Sequence, residues 1–238
     1  MPWGRAPRRP RFRAIFFDVG GTLVEDRDFG EFAEIAEHLD VPAHPEAIAE
    51  AVRWADTTLD RAEPSRSTDE YWRQVLARAT GGDLPASVGR RFVERLERLP
   101  RVAHLFSDVR RTLDRLRSEG RRLGIISNSR SESSLRELLE PVGILGQFQA
   151  IVSSGSEGVA KPDPEIFRRA VGRLGVGVDE AFYVGDLAYT DAKAAQRAGL
   201  ASVWLNRGGT GFGTDPPEIT SLSELPRWVA RLEGVSVK

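Results

Sequence analysis

The sequence contains no cysteine. That excludes a disulfide framework, a thiol nucleophile and any Cys-based zinc site. Lysine is almost as scarce: it occurs only at Lys161, Lys193 and Lys238, and arginine supplies the rest of the positive charge. The only histidines are His38, His44 and His104, and they show no metal-ligand spacing. No apolar run approaches the length of a membrane span, so no membrane partner is expected. The formal net charge of −1 provides no general field for nucleic acid or anionic lipid, so no nucleic-acid partner is expected either. What is present is 238 residues, 40% hydrophobic and 29% charged. This balance suits a globular protein with one large domain, or a core with a smaller insert, and a cytoplasmic location is the expectation.

Along the chain, residues 1–12 place Arg5, Arg8, Arg9 and Arg11 among prolines. The stretch lacks the apolar middle of a secretory signal and reads as a basic, disordered leader. The run Ala14-Ile15-Phe16-Phe17 then has the character of a strand buried on both faces of a parallel sheet, and it ends at Asp18. From about Phe29 to Leu99 strand-like runs are absent. Four sets of apolar residues instead recur at helical spacing: Phe32, Ile35, Ala36 and Leu39; Ile48, Val52, Ala55 and Leu59; Trp72, Val75, Leu76 and Ala79; Phe92, Val93, Leu96 and Leu99. They predict a small helical bundle. After Pro100 helical and strand patterns alternate, with strands at Leu123–Ile126, Ala150–Val152, Ala181–Val184 and Ala201–Leu205. That alternation predicts a doubly wound α/β core with right-handed crossovers. The expected division is a core from residues 13–27 and 101–238, with residues 28–100 inserted as a helical cap.

Ligands of open parallel sheets bind beyond the carboxyl ends of the strands. Asp18, Ser127 and the pair Asp186/Asp191 fall at such ends, and Lys161 lies in a loop just before a helix. Carboxylates from two strand ends can hold one Mg²⁺, an oxygen-seeking ion. A carboxylate can also attack phosphorus once the phosphate charge is neutralised by metal and a fixed cation, here Lys161. Ser127 and the amides after it can hold a phosphate oxygen. Gly20 and Gly21 let the backbone approach a ligand closely.

These residues resemble the motifs of the haloacid dehalogenase-like hydrolases, in the subgroup whose helical cap follows the first motif. The four segments are Asp18-Val19-Gly20-Gly21-Thr22-Leu23, Ile125-Ile126-Ser127-Asn128-Ser129, Lys161-Pro162-Asp163-Pro164, and Gly185-Asp186-Leu187-Ala188-Tyr189-Thr190-Asp191. The resemblance implies that Asp18 is the nucleophile and a Mg²⁺ ligand, and that Gly20 gives its carbonyl to the metal. It makes Asp186 a ligand, and Asp191 a ligand or the orienter of one. Thr22, Ser127 and Asn128 would hold the phosphate or shape its loop, and Lys161 would pair with the phosphate and steady Asp18. The implied activity is hydrolysis of a small phosphate ester.

One departure stands out. Active phosphatases of the family usually carry a second aspartate two residues after the nucleophile, which protonates the leaving oxygen and then activates water. Here that position is Gly20. Glu25, Asp26 and Asp28 are the nearest replacement acids in sequence. Two rival readings follow: an impaired member that binds a phosphorylated ligand or partner protein, and a 2-haloacid dehalogenase. The retained Gly185-Asp186 and Asp191 disfavour the second. The lack of any lysine between Val24 and Val102 excludes a cap Schiff base of the phosphonoacetaldehyde hydrolase kind. Arg27, Arg53 and Arg66 read as solvated helix charges more than as contacts to a second anionic group.

Overall fold

A computed structural model describes residues 11–25, 28–62, 65–99, 102–209 and 215–234. Residues 1–10 of the expected leader, and Asp26 and Arg27, lie outside the described residues. The chain divides into two compact units, Met1–Glu25 with Ala103–Lys238, and Asp26–Val102.

Among the described residues, the first unit holds eight strands: β1 (Ala14–Phe17), β2 (Val24–Glu25), β3 (His104–Leu105), β4 (Arg122–Ser127), β5 (Ala150–Ser153), β6 (Ala181–Gly185), β7 (Ala201–Leu205) and β8 (Glu218–Ile219). Six of them form one sheet in the order β5-β4-β1-β6-β7-β8, and every neighbouring pair is parallel. β1 is central, flanked by β4 and β6, and all four of its residues are buried. A continuous apolar run is what a strand covered on both faces requires.

One face of the sheet packs Ile15, Phe17, Ile125 and Phe182 against Val109, Leu113 and Leu116 of helix Val109–Ser118, Leu135 and Leu139 of helix Glu132–Leu139, and Val229 of helix Leu225–Leu232. The other packs Phe16, Ile126 and Tyr183 against Ile166, Phe167 and Ala170 of helix Pro164–Leu174 and the alanines of helix Ala194–Ala198. This is the three-layer, doubly wound α/β core that the alternating pattern predicts. The chain runs outward from β1 through β4 to β5, then crosses back to β6 on the other side. The reversal opens a crevice at the carboxyl ends of β1 and β6.

Two local features differ from the sequence expectation. Phe12, read as the end of a disordered leader, is only 2% exposed and packs edge-to-face on Phe182. Its carbonyl accepts from Arg121 (2.7 Å) and its N–H donates to Glu233 (2.9 Å), while Arg121 and Glu233 pair with each other. The antiparallel ribbon of β2 with β3 was also not anticipated. Two residues per strand are too few to show any periodicity.

The second unit contains helices Phe29–Glu37, Pro45–Trp54, Thr68–Thr80 and Ala86–Leu96. Pro45–Trp54 runs on through a π-helical turn, Ala55–Leu59. Phe32, Trp72 and Phe92 form the centre, with Trp72 4.7 Å from Phe92 and 5.0 Å from Phe32 between ring centroids. Gly89 lets the last two helices touch, since a Cβ there would lie 2.0 Å from the Asp69 carbonyl oxygen. Trp72 is therefore packing, Tyr71 donates its hydroxyl to Asp56 (2.8 Å), and Trp54 carries Arg78 over its ring. Arg53 is exposed, and Arg66 donates to the Leu59 carbonyl. No described helix is long and apolar enough to cross a membrane.

Candidate active site

Asp18 follows β1 directly, and its N–H donates to the Val184 carbonyl of β6 (2.9 Å), which fixes it at the crevice. Its side chain is nearly enclosed, and Oδ1 accepts from Lys161 Nζ at 2.6 Å. The chain after Asp18 curls back on itself, with the Leu23 and Val24 N–H groups both donating to the Val19 carbonyl (2.8 and 3.0 Å). Gly21 makes this turn possible. Its φ is +69°, a region costly for residues with a Cβ, and a Cβ would sit 2.1 Å from Asp186 Oδ2. The first and fourth segments are therefore in contact through a position that tolerates only glycine.

Lys161 is buried, and its ammonium donates to Asp18 Oδ1 and to Asp191 Oδ1, both at 2.6 Å. Its backbone is held by Asn128, whose Nδ2 donates to the Lys161 carbonyl and whose Oδ1 accepts the Lys161 N–H, each at 2.8 Å. The Asn128 side chain, expected to hold phosphate or shape its loop, is thus committed to Lys161. Two residues on, Asp163 caps helix Pro164–Leu174 by accepting from the Glu165 N–H, and Pro164 occupies the first turn, where a missing N–H is harmless. That cap fixes where the loop ends and so where Lys161 points.

Asp191 is fully buried in a π-helical turn, Ala188–Lys193. Its Oδ1 accepts from Lys161 and from the Tyr183 hydroxyl (2.8 Å), and Oδ2 accepts from the Leu187 N–H (3.1 Å). Thr22 is wholly enclosed, and its hydroxyl has no hydrogen-bond partner. Ser127 ends β4 with 8% of its surface exposed. Asp28, one of the nearest acids in sequence, caps helix Phe29–Glu37, with Oδ1 accepting from Gly30 and Glu31. Glu25 is exposed and stands opposite His104 in the ribbon.

The carboxylates of Asp18, Asp186 and Asp191 each bring one oxygen within 4.8 Å of the others. All three offer carboxylate oxygens, and Lys161 bridges Asp18 and Asp191. Burial raises the Asp18 carboxyl to about 6; Lys161 opposes the rise and the nearby Asp191 charge adds to it. Burial alone would lower the Lys161 ammonium, but Asp18 and Asp191 outweigh it and hold the lysine charged above its ordinary range. A donor set made of carboxylate oxygens suits a hard divalent cation, so these residues fit Mg²⁺.

Tyr183 is the site residue that sequence reasoning missed. Ala181-Phe182-Tyr183-Val184 reads as an apolar strand, yet the buried Tyr183 hydroxyl lies 3.0 Å from Lys161 Nζ and donates to Asp191. Burial, then the Asp191 and Asp18 charges, push its phenol well above the ordinary range, so it stays a neutral donor. The available signal was chemical: a tyrosine inside a strand covered on both faces must find a partner for its hydroxyl. Tyr183→Phe keeps the ring and removes that donor. The expected result is a modest loss of stability, about 1 kcal/mol by thermal denaturation, with a lower kcat as Asp191 and Lys161 lose a shared anchor.

The pattern of the haloacid dehalogenase-like hydrolases matches residues 12–199. The chain belongs to that family. It is 30% identical over 213 residues to a phosphoserine phosphatase of Thermus thermophilus, covering 84% of this chain and 83% of the relative. It is 32% identical over 207 residues to a glyceraldehyde 3-phosphate phosphatase of Methanopyrus kandleri, covering 82% and 84%. Among solved structures, a predicted phosphoglycolate phosphatase from Haemophilus somnus superposes with a TM-score of 0.70 over 92% of this chain and 98% of its own, at 20% identity, and so shares the fold.

Proposed function

We propose that this protein is a Mg²⁺-dependent phosphohydrolase acting on a small phosphorylated metabolite through an aspartyl phosphate on Asp18. The observation that carries the reading is the convergence of Asp18, Lys161, Asp186 and Asp191 at one sheet edge, with Lys161 bridging two of the carboxylates. Relatives named for phosphoserine and glyceraldehyde 3-phosphate support phosphorus as the target.

Asp18, Asp186 and the Gly20 carbonyl would hold the metal, with Asp191 orienting the group. When bound, Mg²⁺ supplies positive charge against the phosphate oxygens. An Asp18 carboxylate oxygen attacks phosphorus, and the bond from phosphorus to the leaving oxygen breaks with its electron pair going to that oxygen. Lys161 donates hydrogen bonds to the carboxylate and stabilises charge on the phosphoryl group. Ser127 and the amides after it support the phosphoryl oxygens. Water then attacks phosphorus, the bond to Asp18 breaks, and the carboxylate returns with a proton released to solvent.

Both steps lack the aspartate that usually handles protons, because Gly20 has no side chain. Asp28 is occupied as a helix cap and is a poor substitute. General acid–base help is typically worth about 10²–10⁴-fold. Its absence penalises alkyl esters most, since their leaving oxygen is basic, and acyl, enol, aryl or anhydride leaving groups least. The proposed substrates therefore carry good leaving groups. Gly20→Asp, assayed on an aryl and an alkyl phosphate with Mg²⁺, is expected to raise the alkyl rate by about 10-fold or more. A fall on the aryl ester with no alkyl gain contradicts the missing-acid account. Gly20 also keeps alive the reading of a ligand-binding, impaired member; metal binding by the wild type without any aryl phosphate turnover would favour it.

A further inference from the structure

The loop that carries Asp18 is held from behind by a residue outside the four motifs. Arg207 follows β7, and its Nε and Nη2 donate to the Gly21 carbonyl (3.2 Å) and the Thr22 carbonyl (2.8 Å). The other edge of the same guanidinium meets both oxygens of Asp108, Nη1 to Oδ2 and Nη2 to Oδ1, each at 3.0 Å. Its plane lies over the Phe106 ring, 3.8 Å from the centroid, and the Phe106 N–H donates to the Leu23 carbonyl (3.3 Å). Asp108 is itself fixed, accepting from Ser221 Oγ and from the Leu222 N–H at 2.8 Å. Burial would raise the Asp108 carboxyl, but Arg207, Ser221 and Leu222 outweigh it and keep it below its ordinary value. Arg207 is thus a charged, pre-oriented fork whose free edge matches two consecutive carbonyls.

Those carbonyls belong to the turn between Asp18 and β2. Thr22 is completely buried, so its carbonyl needs a partner within the protein, and Arg207 provides it. Fixing the Gly21 and Thr22 peptides also fixes the preceding residue, Gly20, and the contact of Gly21 with Asp186. We infer that Arg207, aligned by Asp108, is a positioning residue that sets the geometry of the nucleophile loop and of its metal-binding oxygens. The inference rests on the reading of Asp18 and Asp186 as a metal-assisted site. Lysine cannot reproduce the role, because an ammonium is a point charge that does not present the planar fork needed to meet two carbonyls and a carboxylate together.

The test compares wild type with Arg207→Met, Arg207→Lys and Asp108→Asn. Mn²⁺ binding is read by paramagnetic resonance, and kcat and KM are read on an aryl phosphate at a temperature well below each melting point. Mn²⁺ affinity and kcat are expected to fall about 10–100-fold in Arg207→Met, with little rescue by lysine. Asp108→Asn, which keeps the side-chain shape and leaves Arg207 in place, is expected to give a smaller loss in the same direction. Lower melting points with unchanged Mn²⁺ affinity and kcat overturn the inference and leave the proposed function standing. Full rescue by lysine also overturns it. A wild type that neither binds Mn²⁺ nor turns over aryl phosphate overturns the function and the inference together.

Discussion

Asp18→Asn is expected to abolish aryl phosphate hydrolysis, a loss on the order of 10⁵-fold or more, the scale seen when an attacking group is removed. Asparagine nearly matches the shape of Asp18 and still offers Lys161 an acceptor at the position that now receives a 2.6 Å hydrogen bond. It cannot, however, form the phosphoryl ester. Stability should move the other way. Burial holds the Asp18 carboxyl up at about 6, so above that pH the folded protein carries an ionised group in a place that disfavours it. A neutral amide removes the penalty. Without added metal, the melting temperature of Asp18→Asn should therefore equal or exceed that of wild type above pH ~6, and the difference should shrink as pH falls and wild-type Asp18 protonates. Loss of activity with gain of stability is the signature of a residue kept for chemistry. A matched loss of both would make Asp18 a structural residue.

Lys161→Met should do the reverse on stability. Lys161 lies between Asp18 and Asp191, and methionine leaves both carboxylates buried with no cation. Breaking one side of a buried ion pair destabilises by about 3–5 kcal/mol, because the remaining charge is uncompensated. Two conditions should restore part of the loss. Mg²⁺ places positive charge among the same oxygens. Lower pH protonates Asp18, whose carboxyl burial raises and which then lacks the opposing lysine charge. Activity should fall about 10³–10⁵-fold, as when a fixed cation is removed from phosphoryl transfer, and added Mg²⁺ should not recover it. Denaturation curves with and without Mg²⁺, alongside rates on an aryl phosphate, check both parts. A melting temperature that falls equally with and without Mg²⁺ would contradict the shared-site arrangement.

The core strands were legible because burial on both faces leaves a sequence record. Ala14–Phe17 and Ala181–Gly185 show no polar alternation, and the groups that end them, Asp18 and Asp186, mark the ligand edge of the sheet. Lys161 was legible by contrast, as one lysine in an arginine-rich chain. The supporting contacts were not, because they join segments far apart in sequence. Asn128 meets Lys161 across 33 positions, and Arg207 meets Gly21 across 186. No local pattern encodes such a pairing. The burial of Phe12 is not legible, because the prolines and arginines around it give no sign of its contact with Phe182, 170 residues away. Tyr183 was hidden because it sits in register with core residues and differs from them by a single oxygen.

Gly20 gives the account its most direct test. On the proposed mechanism, a site without the acid/base aspartate would slow the two chemical steps unequally when the leaving group is good. Aryl departure needs little protonation, whereas attack of water on an aspartyl phosphate would lack its base. The second step should then limit turnover, and phosphoenzyme should accumulate. Rapid mixing of wild type with Mg²⁺ and an aryl phosphate, followed by acid quench, should show a burst of aryl alcohol close to one equivalent per enzyme. Peptide mass analysis of the quenched protein should place one phosphoryl group on the peptide containing Asp18, and none in Asp18→Asn. Steady release of alcohol with no burst and no phosphorylated peptide, or turnover that survives in Asp18→Asn, would contradict a covalent intermediate at Asp18.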